Sequence, residues 1–367
     1  MQKPKRACLL APILVFGTVF SGCYTVKQGY HQARLLYEAK PISRVLEQKQ
    51  ESETRLQKLQ WVPRVLSFAH EDLGLKNTGS YQKYVALESP VLTYLVQAAP
   101  KRKFELKTWW FPVVGRQPYL GFFKKEEAIA LQKELQEEGF DTVLSGAQAF
   151  SMLGFWADPV YSTMLDGNSL VELVEVLIHE LAHSTLYVPG FSSFNENFAN
   201  FVGVQGAKLF LDKNVALGVN GSDYVENEKK SEAVRQKFQE YLGRVRQRLE
   251  AFYMRAAQNP SMLDDTVFLA ARDREFDGIS GDYKAVMGGL EKGSRYEHAF
   301  ARERLNNARV LSYALYDAHQ GVFEKLWKVS RENMKQFLSL VQRCVNKTPD
   351  SEAQLWSQLE SCEENAQ

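Results

Sequence analysis

The chain has 367 residues, enough for one large domain or two ordinary ones, and 45% of them are apolar, so a substantial core can form. Its formal net charge is +1 with 24% charged residues. That balance offers no basic surplus for nucleic acid and no acidic run for a tail. Composition therefore reads as globular and leaves the chemistry to the motifs.

The first segment, MQKPKRACLLAPILVFGTVFSGC, starts basic at Lys3, Lys5 and Arg6 and runs apolar from Ala7 to Phe20. This is the layout of an export signal, and its apolar part is too short for a membrane span. The ending Ser21-Gly22-Cys23 resembles a bacterial lipoprotein lipobox, with Phe20 where that pattern usually has Leu. The resemblance implies a signal peptide over 1–22, cleavage before Cys23 and a lipid on Cys23. Tyr24 rather than Asp after the cysteine implies the periplasmic face of the outer membrane. The alternative is a retained anchor helix with an incidental cysteine. Beyond Cys8 and Cys23 only Cys344 and Cys362 remain. An oxidising compartment permits a disulfide between them that clips down the C-terminal tail; otherwise they are two unpaired thiols.

The body, 23–367, is expected to be a single domain. Residues 27–60 carry a helical apolar stripe broken near Pro41, and a further helix spans 61–73. Residues 91–99, 104–115, 119–123 and 140–151 are rich in β-branched and aromatic residues and read as strands. A charged amphipathic helix over 124–139, stopped by Gly139, lies among them. About 90–160 is thus a small α+β unit preceding a helical body over about 165–345. In that body the longest helix covers 224–257. Residues 259–295, with Pro260, DDT, FDG, SGD and GG, read as loops holding at most one short helix. Two helices are expected over 296–319 and 321–345. The fold class is α+β, mostly α.

NSLVELVEVLIHELAHSTLYVPG is a strong helix signal. Ser169 and Glu172 form a capping-box pattern and Pro189-Gly190 end the helix. His179 and His183 are four apart, so both imidazoles can reach a single ion from one helical face. Glu180 is placed to touch a metal-bound water without being a ligand. The bland alternative, two buried hydrogen-bonded histidines, is costly on a Leu/Val-rich helix. A catalytic zinc takes three protein ligands, and Glu196 on the next helix is the nearest third candidate. Gly203 and Gly206 would let that helix pack closely. Ser193 and Glu196 also spell a capping box, and Glu172, Glu175, His298 and His319 are alternative ligands.

HELAH followed by FNENFANFVG resembles the gluzincin metallopeptidases, whose second helix carries N-E-x-x-[AS]. KTWWFPVVGRQPYLGFF, AFSMLGFWADPVYSTML and LNNARVLSYALYD look like a family of bacterial exported proteins described as predicted aminopeptidases, over about residues 25–345. The resemblance implies a zincin-like body, one Zn2+ held by His179, His183 and Glu196, and Glu180 as catalytic base. Twelve residues separate His183 from Glu196, fewer than is usual in gluzincins. Asn200 stands where gluzincins often carry an Asp that orients a ligand histidine; its amide can accept that bond without adding charge.

The expected function is a zinc-dependent peptidase, an aminopeptidase by resemblance, tethered to the bacterial envelope. Its partners are a peptide substrate and the membrane, through the lipid on Cys23, with no nucleic acid. Candidates for the transition-state donor are Tyr316, Tyr313 and His319 on one helix and Tyr161 before the site, with Tyr316 favoured. The segment AFSMLGFW could present a strand edge to an extended peptide. The alternative from another class is a non-catalytic envelope lipoprotein with a structural metal or a partner-binding role.

Overall fold

The computed structural model describes residues 13–214, 221–289, 292, 294, 296–345 and 349–364; for 13–23, 221–229 and 363–364 the backbone alone is described. The basic start of the expected export signal, Cys8 and the side chain of Cys23 lie outside the described residues. The chain divides into two units, 1–39 and 40–367. In the first, helix α1 covers Ile13–Glu38. Among the described residues no helix is long and apolar enough to cross a membrane.

The second unit opens with β1 (Lys40–Pro41) and three short helices, α2 (Ile42–Gln48), α3 (Glu53–Leu59) and α4 (Val62–Glu71). The chain then forms β2 (Lys83–Val85), β3 (Thr93–Pro100), the hairpin β4 (Trp109–Phe111) and β5 (Gly115–Gln117), and β6 (Leu120–Phe122). Helix α5 (Lys125–Glu137) leads into β7 (Phe140–Ala147). β3 is the centre of an antiparallel sheet ordered β6-β3-β7. A second sheet, β1-β2-β8, is completed by β8 (Val160–Tyr161), which pairs parallel with β2. The strand expected to run to Ser151 stops at Ala147. Ala149–Trp156 form no strand, so they offer no edge to a peptide. Leu153 and Gly154 there have φ of 56° and 78°, which breaks extended pairing.

The remainder is helical: α6 (Ser162–Leu165), α7 (Leu170–Thr185), α8 (Ser192–Asn214), α9 (Gly221–Gln258), α10 (Asp265–Met287), α11 (Asn307–Asp317), α12 (Gln320–Val329), α13 (Met334–Val345) and α14 (Glu352–Glu364). The fold is α+β and mostly α. Helix α10 overturns the loop expected over 259–295. Asp264 caps it by accepting from the amides of Thr266 and Val267, and Gly288 closes it at φ 49°. Phe276, Ile279, Tyr283 and Met287 of α10 share one core with Phe238, Tyr241, Leu242 and Leu249 of α9. Tertiary burial of one face outweighs the weak helix propensity of the Gly and Asp residues on the other. The helix expected over 296–319 starts only at Asn307, because Asn306 caps it through the amide of Arg309. The helix expected over 321–345 is two helices, parted where Arg331 and Glu332 take φ of 52° and 56°.

One buried ionic network joins the sheet to the helices. Arg272 of α10 pairs with Asp141 of β7, and both are buried. The Asp141 carboxylate also accepts from the backbone amide of Asn307 at 3.0 Å. The Tyr253 hydroxyl accepts from Arg272 at 3.1 Å and donates to Asn307 Oδ1 at 2.9 Å. Arg272→Met removes one partner and leaves Asp141 charged in the interior. Chemical denaturation of this variant should show a loss of about 3–5 kcal/mol.

Candidate metal centre

Helix α7 begins with the capping box the sequence shows. The Ser169 amide donates to Glu172 Oε2 at 2.5 Å and the Glu172 amide to Ser169 Oγ at 3.2 Å. That engages Glu172 at the helix start and removes it as a ligand. Helices α7 and α8 are joined by a short turn through Pro189 and Gly190. Asn195 clamps this turn, accepting from the Val188 amide and donating to the Val188 carbonyl, each at 2.8 Å. The clamp fixes the first turn of α8 against the end of α7 and sets the direction of the neighbouring Glu196. Further along α8, a Cβ on Gly203 would meet the Glu175 carbonyl oxygen at 2.9 Å and His179 Cβ at 3.2 Å. A Cβ on Gly206 would meet Ile178 at 2.8 Å. Both glycines therefore allow the close helix contact expected of them.

This packing brings three groups to one point. Nε2 of His179 and Nε2 of His183 are 3.1 Å apart, and Glu196 Oε2 lies 3.5 Å from each. Tetrahedral zinc ligands at about 2.0–2.1 Å from the ion stand roughly 3.3 Å from one another, so the set matches a metal's donor spacing. His179, His183 and Glu196 can hold a metal ion. Glu196 faces the histidines, and the hydroxyl of Ser193 bonds instead to Glu352 of α14. Helix α14 is tied to α13 by the Cys344–Cys362 disulfide, with Cα atoms 6.0 Å apart, so the clipped tail braces the start of α8.

The two carboxyl groups of the site have opposite characters. Burial raises both, but the charge of His183 and the hydrogen bonds of both histidines outweigh it at Glu196, which is held at about 2. At Glu180 burial outweighs the charge of His183 and pushes the carboxyl up to about 8. Its Oε2 is buried with no hydrogen-bond partner. Glu180 thus stands beside the ligands without joining them, which suits a group that exchanges protons.

Of the distant candidates, His298 is exposed and 3.7 Å from Glu297, away from the ligand set. His319 stacks on Trp356 with ring centroids 3.9 Å apart, and burial lowers it to about 4. Glu175 is outside the ligand set. Tyr313 packs in the core between α9 and α10, and Tyr161 is fully buried in β8. Tyr316 is held near the centre by α8. Asn200 Nδ2 donates to the Tyr316 carbonyl at 3.2 Å, and Asn197 Nδ2 to the Leu315 carbonyl at 2.8 Å. Asn200 thus ties α8 to α11 through its Nδ2.

Tyr119 is a site residue that the sequence did not single out. The β4–β5 hairpin docks on the α7–α8 turn, with the Gly190 amide donating to the Val114 carbonyl at 3.0 Å and Gln117 Nε2 to the Tyr187 hydroxyl at 3.0 Å. That docking leaves no room for a side chain at Gly115, whose Cβ would fall 2.7 Å from the Gly190 nitrogen. It brings the Tyr119 phenol to the centre: burial raises its pKa, followed by the charges of Glu196, Tyr316, Tyr187 and Glu180. The only sequence signal was a tyrosine at the edge of a strand.

Fold and site together define a mostly helical α+β protein with a His-Glu-x-x-His helix paired to a second helix that carries Glu196. The chain belongs to the family described as "Putative aminopeptidase", whose model matches residues 23–355. No curated protein and no solved structure matches the chain.

Proposed function

We propose that the protein is a zinc-dependent aminopeptidase of the bacterial envelope, anchored by a lipid on Cys23 at the periplasmic face of the outer membrane. The observation that carries the reading is the convergence of His179, His183 and Glu196 with Glu180 beside them. Two imidazole nitrogens and one carboxylate oxygen suit zinc, and three protein ligands leave a position open for chemistry. The anchoring rests on the layout of residues 1–23, and the peptidase activity also on the family.

Bound Zn2+ would supply Lewis acidity and a water of lowered pKa. The chain's own residues do the rest. Glu180 takes the proton of the attacking water and returns it to the leaving amine. The phenols of Tyr316 and Tyr119 donate to the oxyanion as it forms, Tyr316 being the first choice because α8 fixes its backbone. His179 and His183 would hold the ion as neutral imidazoles, through the Nε2 atoms that otherwise pair with Glu196.

Cleavage mapping on a diverse peptide mixture tests this. Successive N-terminal residues should be released, the activity should vanish on chelation, and Zn2+ should restore it. Cleavage indifferent to chelation would overturn the reading, and internal cuts would remove the aminopeptidase part.

A further inference from the structure

Behind Glu180 lies a second polar cluster, built where the small β1-β2-β8 sheet begins. The Tyr81 amide donates to the Asp158 carbonyl at 2.5 Å, and the Asp158 amide donates to Ser80 Oγ at 3.1 Å. These bonds lock the residues preceding β2 and β8 together. Asp158 and Tyr81 are each 1% exposed. The Asp158 side chain accepts one hydrogen bond, from the Met152 amide to Oδ2 at 2.8 Å. Its Oδ1, the Tyr81 hydroxyl and Glu180 Oε2 are all buried without a hydrogen-bond partner.

The three unpartnered groups feel one another. Beyond burial, the Tyr81 phenol is raised by the charges of Glu180 and Asp158, and Asp158 also acts on Glu180. Tyr81 holds φ of 65°, a left-handed conformation that a tyrosine rarely adopts. Asp141 shows how this fold treats a buried aspartate that serves structure: it gives it Arg272. Among the described residues no lysine, arginine or histidine ion pair reaches Asp158. Burial pushes the Asp158 carboxyl up to about 7, so its charged form, with one hydrogen bond and no cation, calls for a cation from outside.

Position says which cation. The segment that holds Asp158 packs on α7 one turn from Glu180, with Ser151 Oγ 3.3 Å from Ser184 Oγ and the Met152 amide on Asp158, and Glu180 adjoins His179 in the chain. In a peptide held with its first scissile carbonyl at the centre, only the α-carbon separates that carbonyl from the free α-nitrogen. We propose that Asp158 and Tyr81 form the subsite for the substrate's α-ammonium group, Asp158 Oδ1 accepting a charged hydrogen bond and the Tyr81 hydroxyl a second. A charged α-nitrogen satisfied there would make the enzyme act from the N-terminus. The proposal rests on the peptidase reading of the neighbouring centre.

The test uses the full metal-loaded protein, with L-leucine amide and its N-acetyl derivative as calorimetric probes and a leucyl tripeptide and its N-acetyl form as substrates. Asp158→Asn keeps an oxygen for the Met152 amide and removes a buried unpaired charge, so its melting temperature should not fall. It should bind leucine amide about 10- to 100-fold more weakly than wild type and lose a similar factor in kcat/KM on the free tripeptide. The wild type should bind N-acetyl-leucine amide and cleave the acetylated tripeptide far more weakly than the free forms. Tyr81→Phe should raise KM for the free tripeptide several-fold with kcat retained. Wild-type binding of leucine amide by Asp158→Asn would overturn the subsite. If the wild type binds leucine amide through Asp158 yet cleaves neither peptide, the subsite stands and the peptidase reading falls. If it cleaves the free tripeptide and Asp158→Asn does not alter that rate, the reading stands and the subsite falls.

Discussion

Glu180→Gln should lower kcat by about 10²- to 10⁴-fold while the metal content stays at that of the wild type. The substitution keeps size and shape and removes the proton acceptor. Glu180 lies outside the ligand set, so the ion should stay. Its Oε2 is buried and makes no hydrogen bond, so the loss of charge should not cost stability and can add to it. Steady-state kinetics, metal analysis and thermal melting on one preparation check all three expectations. A drop in kcat accompanied by loss of metal would instead make Glu180 a ligand.

Gly203→Ala should be the most damaging small substitution in the helix pair. The added methyl would meet the Glu175 carbonyl oxygen at 2.9 Å and His179 Cβ at 3.2 Å. Backbone cannot rotate aside as a side chain can, so α8 must move away from α7. That motion separates Glu196 from the two histidines. Overpacking of this kind costs about 1–3 kcal/mol in stability, and zinc affinity should fall at least tenfold with it. Gly243 of α9 is the control, because a Cβ there meets nothing within 4 Å. Gly243→Ala should stabilise the protein by about 0.5–1 kcal/mol and leave zinc binding unchanged. Equal effects from the two variants would remove the close-packing explanation of the ligand geometry.

What was legible in the sequence had local causes. The α7 capping box, the spacing of His179 and His183, and the small residues of α8 are properties of neighbours in the chain, and each has its place in the structure. What the sequence did not announce had distant causes. Helix α10 contains Gly278, Gly281 and several aspartates, and forms because its apolar face completes the core with α9. The Asn200 Nδ2 bonds the Tyr316 carbonyl, 116 residues away, a pairing no local pattern announces. Tyr119 reaches the centre because a hairpin docks on the α7–α8 turn. Asp158 and Tyr81 meet through the parallel β2–β8 pairing, and each looked ordinary in its own segment.

The account stands on one centre, and metal stoichiometry tests it most directly. Purified wild-type protein should carry one zinc ion per chain, and His183→Ala and Glu196→Gln should each bind it at least about a hundredfold more weakly. Both variants should keep their helical circular dichroism. Wild-type protein that binds no divalent ion, or a Glu196→Gln variant that holds zinc as tightly as the wild type, would contradict the three-ligand centre.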